Sequence, residues 1–94
     1  LTTIDEALSS PGEILLEEFL VPLGISQYRL AKAIGRPASA ISDIVNGRRA
    51  ITPEMSYLIG TALGMSPDYW VNLETTYQLK KVAARHRGDV EVLV

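Results

Sequence analysis

Apolar residues recur along this chain at helical spacing, and each run is bounded by residues that start or stop helices. Ser10-Pro11-Gly12-Glu13 opens the first, a serine able to cap followed by a proline suited to the first helical position. Its apolar face is Leu15, Phe19 and Leu23, and Val21-Pro22-Leu23-Gly24 ends it. Ser26 caps a second helix through about Ile34, with Leu30, Ala31 and Ile34 inward, and Gly35 stops it. Pro37 fits the first turn of a third helix that buries Ile41, Ile44 and Val45 and closes at Asn46-Gly47. Thr52-Pro53-Glu54 repeats the cap-plus-proline start for a fourth, whose inner face is Met55, Leu58, Ile59, Ala62 and Leu63 before Gly64. Ser66-Pro67-Asp68 makes the same start again, for a long last helix to about Arg85. The tail Val90-Glu91-Val92-Leu93-Val94 alternates, which favours extended structure. The pattern predicts an all-α, compact five-helix bundle with room for one short C-terminal strand.

The stretch from Gln27 to Asn46 carries more than a bundle needs. Two helices meet at a tight turn when the first ends in a residue that tolerates positive φ, and Gly35 supplies it. Ala31, one turn earlier, is small enough to let the two helices cross closely. With Ile41, Ile44 and Val45 inward, the third helix presents Ala38, Ser39, Ser42, Asp43 and Asn46 outward. Short or polar side chains suit a helix lying in a major groove beside base edges. The expected unit is a helix-turn-helix over residues 27–46, in one domain whose core spans about 11–86 of the 94 residues.

Charge changes this picture only in its distribution. The formal net charge is −2 and the pI about 5.3, which by themselves argue against nucleic acid. Yet Arg29, Lys32, Arg36, Arg48 and Arg49 fall in one window in which Asp43 is the only acid. A basic middle in an acidic chain predicts modest nonspecific affinity. A hydrophobic fraction of 47% and a charged fraction of 21% are those of a globular protein. The absence of cysteine excludes disulfides and thiolate chemistry and is compatible with a reducing cytoplasm, the expected location. No apolar run approaches the ~20 residues that cross a bilayer, so no membrane association is expected. Leu1-Thr2-Thr3-Ile4-Asp5-Glu6 lacks the pattern of a signal peptide, and the missing initiator methionine suggests trimming or processing.

Gln27-Tyr28-Arg29-Leu30-Ala31-Lys32-Ala33-Ile34-Gly35 followed by Ile41-Ser42-Asp43-Ile44-Val45-Asn46-Gly47-Arg48-Arg49 resembles the phage-repressor-type (lambda-repressor-like, XRE/Cro-CI) helix-turn-helix superfamily. The resemblance implies that Gln27 binds a phosphate and braces the recognition helix, and that Ala38, Ser39 and Asp43 stand at base-reading positions. The Ala38 methyl suits thymine, and Asp43 could accept from cytosine N4, although an acid there also repels phosphate. Arg36, Arg48 and Arg49 would pair with the backbone. Pro-Gly-Glu-Ile-Leu-Leu-Glu-Glu-Phe-Leu near the start, Ile51-Thr52-Pro53-Glu54-Met55, and Gly64-Met65-Ser66-Pro67-Asp68-Tyr69-Trp70-Val71-Asn72-Leu73 resemble the HigA-type antitoxins, over roughly residues 11–86. A histidine usually precedes the Pro-Gly pair in that family, where this chain has Ser10. The family implies an antitoxin that binds a HigB-type, ribosome-dependent mRNA-cleaving toxin and represses its own operon as a dimer on double-stranded operator DNA. A solitary repressor without a toxin, and a helical interaction module that reads no DNA, are the alternatives.

On the last helix Trp70, Leu73 and Tyr77 form a core-facing stripe, whereas Tyr69, Asn72, Thr76, Leu79 and Ala83 form a second face expected to pair with a second subunit. The tail reads as frayed; if ordered it needs a partner edge, from a twin subunit or a toxin sheet. The N-terminal decapeptide and the tail are both candidate toxin contacts. His86 stands alone, Glu17 and Glu18 point about 100° apart on a helix, and no phosphate loop, metal spacing or nucleophile–base pair is present. No enzyme activity, cofactor or metal is expected.

Overall fold

The computed structural model describes residues 9–94, so the first eight residues of the N-terminal decapeptide lie outside the described residues. The first helix, α1, is three consecutive stretches: Pro11–Ile14, a π-helical Leu15–Leu20, and Val21–Leu23. It is followed by α2 (Gln27–Ile34), α3 (Ala38–Val45), α4 (Pro53–Ala62) and α5 (Tyr69–Arg85). The helical architecture and the connections agree with the pattern of apolar positions. Ser10 and Glu13 form a reciprocal capping box, and Ser26 and Thr52 accept the N–H groups of Arg29 and Met55.

The π-helical stretch rearranges the expected face of α1. The Val21 N–H reaches back five residues, to the Leu16 carbonyl, so one turn holds an extra residue. Leu15 and Leu20, five apart, are therefore the fully buried pair, Phe19 is half-buried, and Leu23 is turned out to solvent at 60% exposure. Pro22 gives a physical reason for the wide turn. It has no N–H to donate, and its ring would press on the carbonyl four residues back in an ordinary helix.

Leu15, Leu20, Leu30, Ile41, Ile44, Ile59 and Trp70 make the centre of the core. Here α2 packs on α3 and α4, α1 on α3 and α5, and α4 on α5. Gly12 lets the start of α1 lie directly on the end of α3, since a Cβ there would stand 1.9 Å from the Ile44 carbonyl oxygen. Trp70 is wholly buried between Phe19 and Tyr69, with edge-on ring centroids 5.1 and 5.0 Å away. Its indole N–H has no hydrogen-bond partner among the described residues. Burying roughly 250 Å² of ring at about 25 cal/mol per Å² contributes about 6 kcal/mol, which outweighs the roughly 1–3 kcal/mol of one unmade bond.

Two further expectations are corrected. Ala62 is exposed, on the rim of a cleft with Ile25, Leu30 and Ala33, so the inner face of α4 is Met55 and Ile59 with Leu58 and Leu63 half-buried. The final helix begins at Tyr69 rather than at Ser66-Pro67, because the Ser66 hydroxyl donates to the Asp68 carboxylate instead of capping. A fully buried Ser56 on α4 holds this start by donating to the Pro67 carbonyl (2.7 Å) and accepting from the Val71 N–H (2.8 Å). Residues 90–94 form no strand.

Candidate nucleic-acid interface

The turn between α2 and α3 is closed by backbone hydrogen bonds. Gly35 adopts φ +69°, and the Arg36 N–H donates to the Ala31 carbonyl at 3.0 Å while the Gly35 N–H donates to that of Lys32 at 3.2 Å. Pro37 is the N-cap of α3, with no N–H of its own to satisfy. Leu30, Ala31 and Ile34 are buried together with Ala40, Ile41, Ile44 and Val45, so the crossing of the two helices is dry.

That packing decides what α3 shows to solvent. Ala38, Ser39 and Asn46 are exposed, Ser42 and Asp43 half-exposed, and Gln27 is half-buried at the first position of α2. Two of the polar side chains are already engaged with each other. The Asn46 amide donates to the Ser42 carbonyl at 2.8 Å and to its hydroxyl at 3.3 Å. On α3 only Ser39 then combines full exposure with a hydroxyl that makes no hydrogen bond among the described residues.

Asp43 is not a bare acid on the recognition face. One carboxylate oxygen takes Nε of Arg48 at 3.2 Å and its Nη2 at 3.2 Å; the other faces Arg49 at 3.9 Å. The Asp43 carbonyl accepts the N–H groups of both arginines, at 2.8 and 3.2 Å. The side chain thus gathers two guanidinium groups beside the end of α3, and both arginines remain at least half exposed. Arg36 is held differently, by Glu54 at 2.6 Å across the start of α4. With both groups exposed, that pair contributes about 0–1 kcal/mol and yields readily to a phosphate. Among the described residues no ion pair involves Arg29 or Lys32, which adds two open cations on α2.

Sequence reasoning missed the residue that anchors the arginine segment. Glu74 of α5, only 8% exposed, accepts the Ile51 N–H at 3.0 Å and the Gln78 amide at 2.7 Å. The chain leaving Arg48-Arg49-Ala50 is therefore tied to the last helix. A polar residue on an otherwise core-facing stripe was the signal available, but its partner lies 23 residues away.

The predicted pairing face of α5 is divided. Tyr69, Asn72 and Thr76 border an open groove of about 370 Å³ near the start of the helix. Leu79 (62% exposed) and Ala83 lie on the second half, where every residue from Gln78 onward is exposed. His86 does have a neighbour, with Nδ1 3.2 Å from the Asp89 carboxylate. Among the described residues no helix is long and apolar enough to cross a membrane.

The helix-turn-helix family model matches residues 16–70. Virulence-associated protein I of Dichelobacter nodosus is 36% identical over 89% of this chain and 77% of its own length. Antitoxin HigA-1 of Vibrio cholerae is 32% identical over 87% of this chain and 77% of its own. Among solved structures, the Pseudomonas aeruginosa antitoxin HigA with the higBA promoter superposes with a TM-score of 0.84 at 33% identity. That superposition covers 93% of this chain and 99% of the other.

Proposed function

We propose, for a chain that belongs to the helix-turn-helix family and within it to the HigA-type antitoxins, that it binds double-stranded operator DNA as a twofold dimer, represses its own operon and neutralises an mRNA-cleaving toxin. The observation that carries the DNA reading is the outward face of α3, short-sided at Ala38 and Ser39 and flanked by guanidinium groups gathered at its end. In this reading one domain, with the DNA unit at residues 27–46, docks α3 in the major groove. Ala38 and Ser39 meet base edges, Ser42 and Asn46 line the groove wall, and Gln27, Arg36, Arg48 and Arg49 take the phosphates. Asp43 is a positioning residue for the two arginines rather than a reader of cytosine. Base readout is sparse, so specificity leans on half-site spacing and DNA shape. The dimer forms through Tyr69, Asn72, Thr76, Leu79 and Ala83. Support comes from the second half of α5, a solvent-exposed stretch too short to be stable alone in water.

A salt-titrated binding measurement on the region upstream of its own gene tests the DNA reading. Affinity should exceed that for random duplex and fall linearly with log salt. Equal, salt-insensitive binding to both would leave a helical interaction module instead. Toxin neutralisation is tested by co-expression with any small basic ribonuclease-like frame beside the gene. Growth rescue and co-purification are expected. No such frame, or no rescue, would leave a solitary repressor.

A further inference from the structure

The last helix carries two unsatisfied features at its opposite ends. At its start is the groove of about 370 Å³ bordered by Tyr69, Leu73 and Thr76, with Ser66, Asp68 and Asn72 on its rim. Beyond its end are Val90, Val92, Leu93 and Val94, of which the first three are 76%, 81% and 84% exposed and the last open to solvent. Four aliphatic side chains in five residues are a poor composition for a solvated tail. The chain turns at Gly88, where φ is +82° and the Asp89 N–H donates to the His86 carbonyl.

We propose that residues 90–94 of one protomer seat in the groove at the start of α5 of a second copy, so that the dimer closes by reciprocal exchange of tails. The inference rests on the dimer reading above and specifies its geometry. A twofold axis across the middle of α5 runs the two helices antiparallel, which lays the end of each beside the start of the other. Each groove then receives one tail. The protomer's own tail is badly placed for the same job. From Arg85 back to Tyr69 the helix spans about 24 Å, while the six residues after Gly88 extend to about 20 Å. Fully stretched back along the helix, Val92 would come level only with Thr76 and Val94 with Asn72, which leaves Val90 outside the groove and Tyr69 unreached. The antiparallel arrangement also keeps the two tails at opposite ends, so they do not pair with each other as strands. In an extended tail Val90, Val92 and Val94 share one face, and Glu91 turns away from the Asp68 carboxylate on the groove rim.

The test uses the full chain, its truncation after Gly88, and cysteine cross-linking, which is clean because the chain has no cysteine of its own. Analytical ultracentrifugation should find the full chain dimeric and the truncated chain dissociating at least about 100-fold more readily. The melting curve of the diluted, monomeric truncated chain should match that of the monomeric full chain. Mixing the Asn72→Cys and Val92→Cys proteins under mild oxidation should give a covalent dimer containing one of each. A full chain that is monomeric at high concentration removes the dimer reading, and the exchange with it. A dimer whose dissociation the truncation leaves within twofold, with no mixed cross-link, overturns the exchange alone. So does a doubly substituted chain that closes its disulfide within one protomer.

Discussion

The α2–α3 unit and the second half of α5 are both helical surfaces facing solvent, and they are built on opposite terms. In the first, the inner face is wholly buried, and much of the outward polar chemistry is answered from within the protomer. Asn46 is held by Ser42, Arg48 and Arg49 by Asp43, and Arg36 by Glu54. In the second, from Gln78 to Val94, every residue is exposed, Leu79 and the aliphatic residues after Gly88 most of all. The α2–α3 unit is thus preorganised within the protomer, whereas the second half of α5 leaves its apolar side chains uncovered there.

The sharpest break of this comparison is a pair of truncations to alanine. Ile41→Ala, at a wholly buried position of the α2–α3 crossing, should destabilise the protomer by about 4 kcal/mol in urea melts. Leu79→Ala, measured at dilutions where the chain is monomeric, should change stability by less than about 0.5 kcal/mol. Comparable losses at the two positions would mean that the end of α5 packs within its own protomer.

Next in size is the link between the two regions. Glu74→Ala leaves the Ile51 N–H without its acceptor and should cost about 2 kcal/mol, with Glu74→Gln recovering part of it because an amide oxygen can still accept. Equal melting of both variants would show that the bond to Ile51 contributes little.

On the proposed DNA face, Arg48→Ala should lower the slope of log affinity against log salt by about one, with similar loss on every sequence. Asp43→Asn should act in the other sense on random duplex, tightening it because a charge that repels phosphate is gone. The ratio of operator to random affinity should fall, since both guanidinium groups lose their anchor. A rise in that ratio would contradict a positioning role for Asp43.

The smallest effect concerns pH. The Ser66 hydroxyl, and after it a backbone bond, hold the Asp68 carboxyl below its ordinary value; the Asn72 amide adds a little, against a small desolvation effect. A carboxyl lowered on folding contributes stability above its unfolded pKa and loses it as pH falls through the folded one. Ser66→Ala should raise the Asp68 midpoint in an NMR titration, and an unmoved midpoint would show that the hydroxyl is not the cause.

Much of the preorganised unit was legible because its determinants are local. Ser26, Gly35 and the Leu30/Ile34 and Ile41/Ile44 spacings each act within a turn or two, and the family motifs fall on the same residues. What escaped depends on partners distant in the chain or on a change of helical period. The spacing of four from Leu15 to Leu23 assumed an ordinary helix, and only Pro22 hinted at the wider winding that turns Leu23 outward. Glu74 and Ser56 look like surface polar residues until their acceptors and donors are brought in by folding. The Arg36–Glu54 pair joins residues from two separate helical patterns. Asp43 was legible as an anomaly but not as an anchor, because its role is set by where the chain turns after Asn46.

The Ile51 N–H held by Glu74 makes a natural clock for this molecule. It is a backbone amide outside any helix, buried, and closed by a side chain of α5. Its exchange with deuterium from solvent therefore times the parting of the arginine segment from the last helix. If a partner steadies α5, that amide will exchange more slowly without being touched. Occupancy of one surface can then be read as a lifetime on the other.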